Sequence, residues 1–402
     1  MAMGEPVCLI TGGFTAKNLR LQPWRYLAET ARQLAAQGRP VTVVTDGIAH
    51  HPAREQLDGV AIHRLPTVNR YRWGRDDQLL AAVRQQKPGL ILWHLGLPSF
   101  VHQQLDGWPD APVVGIFPGL VYTPRELLRL GLRRILRGYR LSAIHLLGAM
   151  VPRRLIHRAV NNGSLRCLVV QTEATRQRLL AAGLRGDQVK VIPPGVDEEW
   201  HATCHDGRED VRLRRALGFD DTDTVVLYFG SPAPLRGLHT LVRALAIARR
   251  AHPALKLLIL NRRRSDELLR EDAELRRLIQ QNDVQPHIRM VSGFLAPDQL
   301  VRHVAASDIV ALPFELVPAD APLSVLEAQA LGKPVVTTTV ASLPELVAPG
   351  QGYLAAPADP VSLAQAICQA AAEWPDRRAK QPAHVRRWQE VGKEWSQLIQ
   401  SL

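Results

Sequence analysis

The residues best suited to chemistry lie in the segment PLSVLEAQALGKPVVTT, 322–338. Its apolar spacing predicts a helix that starts after a Pro-rich loop, stops at Gly332, and gives way to a buried strand after Pro334. The start of that helix, Pro322-Leu323-Ser324, turns backbone N–H groups and the positive end of the helix dipole toward an anion. Glu327, one turn further in, adds a carboxylate of the kind that accepts bonds from ribose hydroxyls. Phosphate at the helix start and ribose at the acid together outline a pocket for a nucleotide diphosphate.

The elements that hold such a pocket recur along the chain. VCLIT (7–11) predicts a strand ending at Gly12-Gly13, and 24–37 an amphipathic helix closed by Gly38. Further strands are expected at 40–45, 59–65, 90–96, 112–119, 165–172 and 189–195, the last two bracketing a helix over 173–182. After PPGVD the pattern restarts with strands at 224–230, 255–261, 288–294, 309–312 and 334–338 and helices at 238–251, 265–281, 297–306, 322–331 and 360–373. This alternation predicts two Rossmann-like, doubly wound α/β domains facing across a cleft, with ligands at the carboxyl ends of the strands. The expected bounds are 1–198, 199–375 and a C-terminal helix at 376–402 that packs back on the first domain. Neither domain carries G-x-G-x-x-G after its first strand, nor a Walker A loop. A dinucleotide oxidoreductase or a P-loop ATPase is therefore disfavoured, and Gly12-Gly13 alone reads as a tight turn or a close backbone approach to ligand.

Composition narrows the classes. A chain of 402 residues with 46% hydrophobic and 22% charged residues has the make-up of a soluble protein with more than one core. No apolar run reaches the ~18 residues of a spanning helix, and the N-terminus leads straight into a strand without a signal-peptide pattern. A cytoplasmic location is expected. Cys8, Cys167, Cys204 and Cys368 are scattered without a C-x-x-C pair, and His201, Cys204 and His205 in one polar connector give no second ligand cluster. No metal site is expected. The net charge of +12 is mostly arginine. Arg125, Arg129, Arg133 and Arg137 recur at i+4, with Arg134 and Arg140 nearby and leucines between them. Two readings stay open: a helix lying peripherally on an anionic membrane face, or a core helix with a solvated arginine face. Nucleic acid is not expected, since no binding module is present and aromatics make up only 5%.

The order and spacing of QTEATRQRLLAAG, VKVIPPGVD, YFGSPAPLRGLHTLVRAL, VSGFL, LSVLEAQALGKPVVTT, SLPELV and GYLAAPADPVSLAQAI resemble family 4 glycosyltransferases, the glycosyl transferases group 1. The resemblance covers most of the chain and is strongest over 165–373. It implies the GT-B fold and transfer of a sugar from a nucleotide diphosphate sugar to a glycan or lipid-linked acceptor. It also implies retention at the anomeric carbon, no metal, and no cofactor besides the donor substrate. In the family, the loop after the first strand of the second domain reads G-R-L-x-x-x-K-G. Here Gly230 and Gly237 keep their places, Ser231 replaces the Arg, and Arg236 stands at the Lys. Arg236 is thus the expected catalytic cation on the diphosphate, with Glu327 at the second of the family's two glutamates. The first falls on Ala319, leaving Asp320 and Glu315 as acids that lean toward the site. Gly293-Phe294-Leu295 match the segment that packs on the base. Arg262 or Arg264, after the strand ending at Asn261, offers a cation in place of the one missing at Ser231; the alternative is an exposed basic loop. His94 is expected at a strand end facing the cleft, as a contact to acceptor or phosphate or as a structural histidine. Ser342 and Glu345 have capping-box spacing. Two other functions follow from the departures at Ser231 and Ala319: a non-catalytic nucleotide-sugar-binding homologue or partner subunit, and a nucleotide-sugar hydrolase or epimerase.

Overall fold

The computed structural model describes residues 4–47, 51–66, 76–96, 111–129, 131, 153–161, 165–201, 207–233, 235–261, 269–317, 319–347, 352–377 and 384–402. Short apolar runs build two sheets. The first contains β1 (Val7–Ile10), β2 (Val41–Asp46), β3 (Arg54–Leu57), β4 (Val60–Leu65), β5 (Leu90–His94), β6 (Val113–Ile116), β7 (Cys167–Val170) and β8 (Val189–Val191), in the order β3-β4-β2-β1-β5-β6-β7-β8. The second contains β9 (Thr224–Gly230), β10 (Leu255–Asn261), β11 (Ile288–Ser292), β12 (Ile309–Ala311), β13 (Val335–Thr338) and β14 (Gly352–Ala355), in the order β11-β10-β9-β12-β13-β14. Central strands such as VCLI and CLVV are buried at every position, as expected of a parallel sheet covered by helices on both faces.

Two strands escaped the sequence reading. REQL in β3 lacks apolar alternation, yet it pairs antiparallel with β4 through a turn at Asp58-Gly59, where φ is 51° and 79°. Two positive φ values in a two-residue connection are the mark of a hairpin turn, and Asp-Gly is a favoured pair there. β14 adds a parallel edge strand next to β13.

The expected basic helix over 125–137 is corrected. The helix here is Pro124–Arg129, followed by Gly131 at φ 83°, whose amide donates to the Leu128 carbonyl at 3.0 Å. A left-handed glycine at that point closes the helix after Arg129. Arg125 and Leu128 are exposed on the short helix, while Arg133, Arg134, Arg137 and Arg140 lie outside the described residues. Among the described residues, no helix is long and apolar enough to cross a membrane.

The chain passes between the sheets twice, and the two passes lie together. Val196 forms a parallel bridge with Arg387, and its amide donates to the Arg386 carbonyl at 2.9 Å. A Cβ on Gly195 would come within 2.6 Å of the Arg387 backbone, so this crossing requires glycine. Arg387 also pairs with Glu198 at 2.7 Å. Beyond it, the helix Trp388–Gln400 buries Trp388, Val391, Trp395 and Leu398 in the core of the first sheet. Trp395 Nε1 donates to the Tyr26 hydroxyl at 3.2 Å, which donates in turn to the Ile192 carbonyl at 2.9 Å.

Candidate functional site

In each sheet the strand order reverses beside the first strand, between β1 and β5 and between β9 and β12. The crevices above those reversals are where doubly wound sheets bind ligands. Of the expected donor residues, Arg236 follows β9 and the helix Leu323–Ala330 follows β12, the two strands that flank the second reversal. Register places Gly230, Asn261 and Ser292 level with one another at the carboxyl edge of β9, β10 and β11.

The loop after β9 is held by its own residues and by the loop after β12. The Tyr228 hydroxyl donates to the Ser231 carbonyl at 2.7 Å, and Ser231 Oγ accepts from the Ala233 amide at 3.2 Å. Ser231 thus serves the turn. The Glu315 and Leu316 amides both donate to the Leu235 carbonyl, at 2.8 and 3.0 Å. Gly237 has φ 78°, and a Cβ there would lie 1.8 Å from the Pro313 carbonyl oxygen. No other residue fits so close an approach at that φ. Between these fixed points Arg236 lies with its guanidinium 5.4 Å from the centre of the Phe314 ring, a cation–π arrangement. Burial lowers its pKa, opposed by Tyr228, and no ion pair engages it among the described residues. A guanidinium remains charged under such a shift, so the loop holds a fixed cation.

The loop after β12 runs into the helix Leu323–Ala330, whose cap residue Pro322 offers no side-chain acceptor. The Val325 amide turns back to the Pro322 carbonyl at 3.1 Å, while those of Leu323 and Ser324 have no partner among the described residues. Two open amides and the positive end of the dipole therefore face outward at this helix start. Glu327 follows, half-buried, one turn in. Beyond β11 the Gly293 amide donates to the Asn261 carbonyl at 3.1 Å, and Gly293 turns at φ 122°. Phe294, 52% exposed, and Leu295, packed against the core, follow that turn. Arg262 and Arg264 lie outside the described residues. Asn261, before them, is buried and donates to Asp272 at 2.7 Å.

At the first reversal, Gly12 and Gly13 close β1. The Gly12 carbonyl accepts from Trp24 Nε1 at 2.7 Å, the Gly13 amide donates to Asp46 at 2.5 Å, and the Gly13 carbonyl accepts from Asn18 at 2.8 Å. Gly13 has φ 73° against the Trp24 ring. The pair therefore forms a braced turn whose Gly13 amide is already engaged. His94, at the end of β5, is hydrogen-bonded through Nδ1 to the Thr11 hydroxyl at 2.9 Å. That bond fixes the ring at the strand end.

Two expectations about acids are corrected. Glu315 is buried and accepts from the Thr240 hydroxyl at 2.8 Å, so it braces a neighbouring helix. Asp320 is fully buried and accepts from the Gln171 amide at 2.9 Å and from the Thr172 and Thr175 hydroxyls at 2.6 Å each. All three donors come from residues 171–175 of the first half of the chain. Ala319 is buried and apolar, and neither acid substitutes for it. The Ser342–Glu345 capping box is absent as well. The Ser342 hydroxyl donates to the Asp320 carbonyl, and Glu345 accepts from the Glu173 and Ala174 amides at 2.8 and 2.7 Å. The sequence reading missed Gln171, Thr175 and this use of Glu345; its nearest signal was Thr172 before a helix, a good N-cap residue. Asp221 and Asp223 sit before β9, at the end of the sheet away from the crevice, where Asp221 pairs with Arg215 at 2.6 Å.

Comparison with known proteins agrees with this architecture. Residues 223–373 match the family described as Glycosyl transferases group 1, and residues 24–200 match Glycosyltransferase Family 4. The chain is 28% identical over 228 residues to the GDP-mannose-dependent monoacylated alpha-(1-6)-phosphatidylinositol monomannoside mannosyltransferase of Corynebacterium glutamicum, covering 54% of this chain and 55% of that protein. It is 27% identical over 342 residues to the D-inositol 3-phosphate glycosyltransferase of Segniliparus rotundus, covering 80% and 70%. The first match thus spans only about half of its relative's length. The fold superposes on sucrose-phosphate synthase of Thermosynechococcus elongatus with a TM-score of 0.72 at 20% identity, covering 99% of each chain. It superposes on the HepE protein of Anabaena, crystallised with UDP and glucose, with a TM-score of 0.69 at 17% identity, covering 99% and 100%. With both halves matched in sequence and the whole length shared in fold, the chain belongs to glycosyltransferase family 4 and has the GT-B architecture.

Proposed function

We propose that this protein transfers a sugar from a nucleotide diphosphate sugar to a glycan or lipid-linked acceptor. The observation that carries the reading is Arg236, a fixed cation without an ion-pair partner among the described residues, on the loop pinned to the one that opens the uncapped helix Leu323–Ala330. A diphosphate departing from the sugar develops negative charge, and preorganised donors of this kind stabilise it without reorganisation. Glu327 binds the ribose, and Phe294 and Leu295 flank the base. The acceptor sits over the first reversal, near Gly12, Gly13 and His94. Retention of configuration and independence from metal belong to this reading, because Arg236 and the helix amides take the charge that a divalent ion would otherwise neutralise. The names of the relatives support an acceptor that is a polyol phosphate or a lipid-linked sugar.

A second reading has its own observation. Ala319 leaves the family's first acid position apolar, and both nearby acids are engaged elsewhere, which favours a homologue that binds donor without turning it over. Release of nucleoside diphosphate from a panel of UDP-, GDP- and ADP-sugars decides between them. Transfer predicts release that depends on added acceptor, as with inositol phosphate or a lipid-linked glycan. Release without acceptor indicates hydrolysis, and binding without release supports the non-catalytic homologue.

A further inference from the structure

The contact between the two halves of the molecule contains a construction that the donor site leaves unexplained. The helix Glu173–Leu180 belongs to the first sheet, but its N-terminal cap is split between the halves. Thr172 Oγ1 accepts from the Thr175 amide at 3.2 Å, within the helix's own start. The Glu173 and Ala174 amides are satisfied by Glu345, from the second half of the chain, at 2.8 and 2.7 Å. Asp320, also from the second half, takes the Thr172 and Thr175 hydroxyls and the Gln171 amide. Return bonds run from the Ala321 amide to Gln171 Oε1 at 3.3 Å and from the Asp320 amide to the Pro118 carbonyl at 2.9 Å. The Val317 amide donates to the Tyr122 hydroxyl at 3.0 Å. Ser342, hydrogen-bonded to the Asp320 carbonyl, ties this segment to the short helix that carries Glu345.

Two consequences follow from the geometry. Carboxylates at the positive end of a helix are well placed electrostatically, and separating the halves uncaps that helix while stripping a buried acid of its donors. Asp320 also lies two residues before Pro322, so whatever fixes Asp320 fixes the entry to the helix whose open amides are at Leu323 and Ser324.

We propose that Asp320 is a positioning residue: its clasp on residues 171–175 sets the start of the donor-binding helix and couples docking of the two halves to capture of a nucleotide diphosphate. The inference rests on the donor site proposed above and adds to it a second partner, the first half of the chain. Coupling is reciprocal, so donor must tighten the docking as much as docking tightens donor binding.

The test uses the full chain with Asp320→Ala and, from the opposite side, Thr175→Val, which removes one clasp hydroxyl while keeping the Thr172 cap on the residue-175 amide. Affinity for UDP, GDP and ADP is measured by calorimetry, the radius of gyration by small-angle scattering with and without nucleotide, and Tm alongside. Both variants should bind the parent's nucleotide about tenfold more weakly and need more of it to reach the parent's compact form. A lower Tm with unchanged nucleotide affinity and unchanged compaction overturns the proposal and makes Asp320 a purely structural acid. If Asp320→Ala does not fold, Thr175→Val decides alone. A parent that binds none of UDP, GDP and ADP removes the donor reading and the coupling with it, whereas a binding parent with equally tight variants removes the coupling only.

Discussion

Asp320 is a fully buried carboxylate that accepts three hydrogen bonds from residues 171–175 of the other half. Adjacent to the position of an expected acid, it reads from sequence as a stand-in for it, but its partners lie 145 to 149 residues away. Nothing local announces them. The positions of Arg236 and Glu327, by contrast, are legible because their loop, glycines and helix start are contiguous in the chain. The buried setting of Asp320 has a measurable consequence. Burial raises its pKa from 3.8 to about 6, against the lowering effect of Thr172, Thr175 and Gln171, with Glu345 adding to the rise. A folded-state pKa above the unfolded value means that the protonated acid favours the fold. That contribution is complete below about 3.8 and is lost as pH rises through about 6. Asp320→Asn, neutral throughout, should therefore gain stability relative to the parent as pH rises through that range. Urea midpoints of the two proteins across that range check it, and a constant gap contradicts it.

At the scale of elements, the β-α alternation predicts most strands and helices because apolar runs bounded by Gly and Pro are strong local signals. β3 is invisible to that criterion, since REQL is an edge strand defined by its turn and its partner. The overlong basic helix fails for a related reason: arginine spacing outweighed Gly131, whose positive φ ends the helix. Gly230 and Gly237 are legible as glycines, but the cause appears only in the packing. Gly237→Ala would drive a Cβ into the Pro313 carbonyl at a φ that alanine resists. The expected cost is on the order of 3 kcal/mol, seen as a lower urea midpoint at unchanged slope. Because the same loop holds Arg236, nucleotide affinity should fall too. Wild-type stability in this variant would refute the account of the loop.

For the whole molecule, the restart of the pattern after PPGVD suffices to expect two sheets, and the family motifs to expect a cleft. The way the halves join was not legible, because it depends on two crossings that meet in space, Val196 against Arg387, and on a cap shared across the interface. The C-terminal helix contributes Trp395, fully buried and bonded to Tyr26. Trp395→Ala should cost about 4 kcal/mol, and limited proteolysis should then cut first around residues 384–388. Retention of the parent's digestion pattern would contradict the helix's role as an integral part of the first layer.

In the proposed function, the crevice above β9 and β12 binds a nucleotide diphosphate through Arg236, the amides of Leu323 and Ser324, and Glu327. Calorimetric titration of UDP, GDP and ADP into the parent, Glu327→Ala and Arg236→Ala tests it most directly. The account predicts saturable binding of one nucleotide to the parent, weakened about tenfold or more in each variant by the loss of a charge-assisted bond. Binding that is equal in all three proteins, or absent from the parent at millimolar ligand, would contradict it.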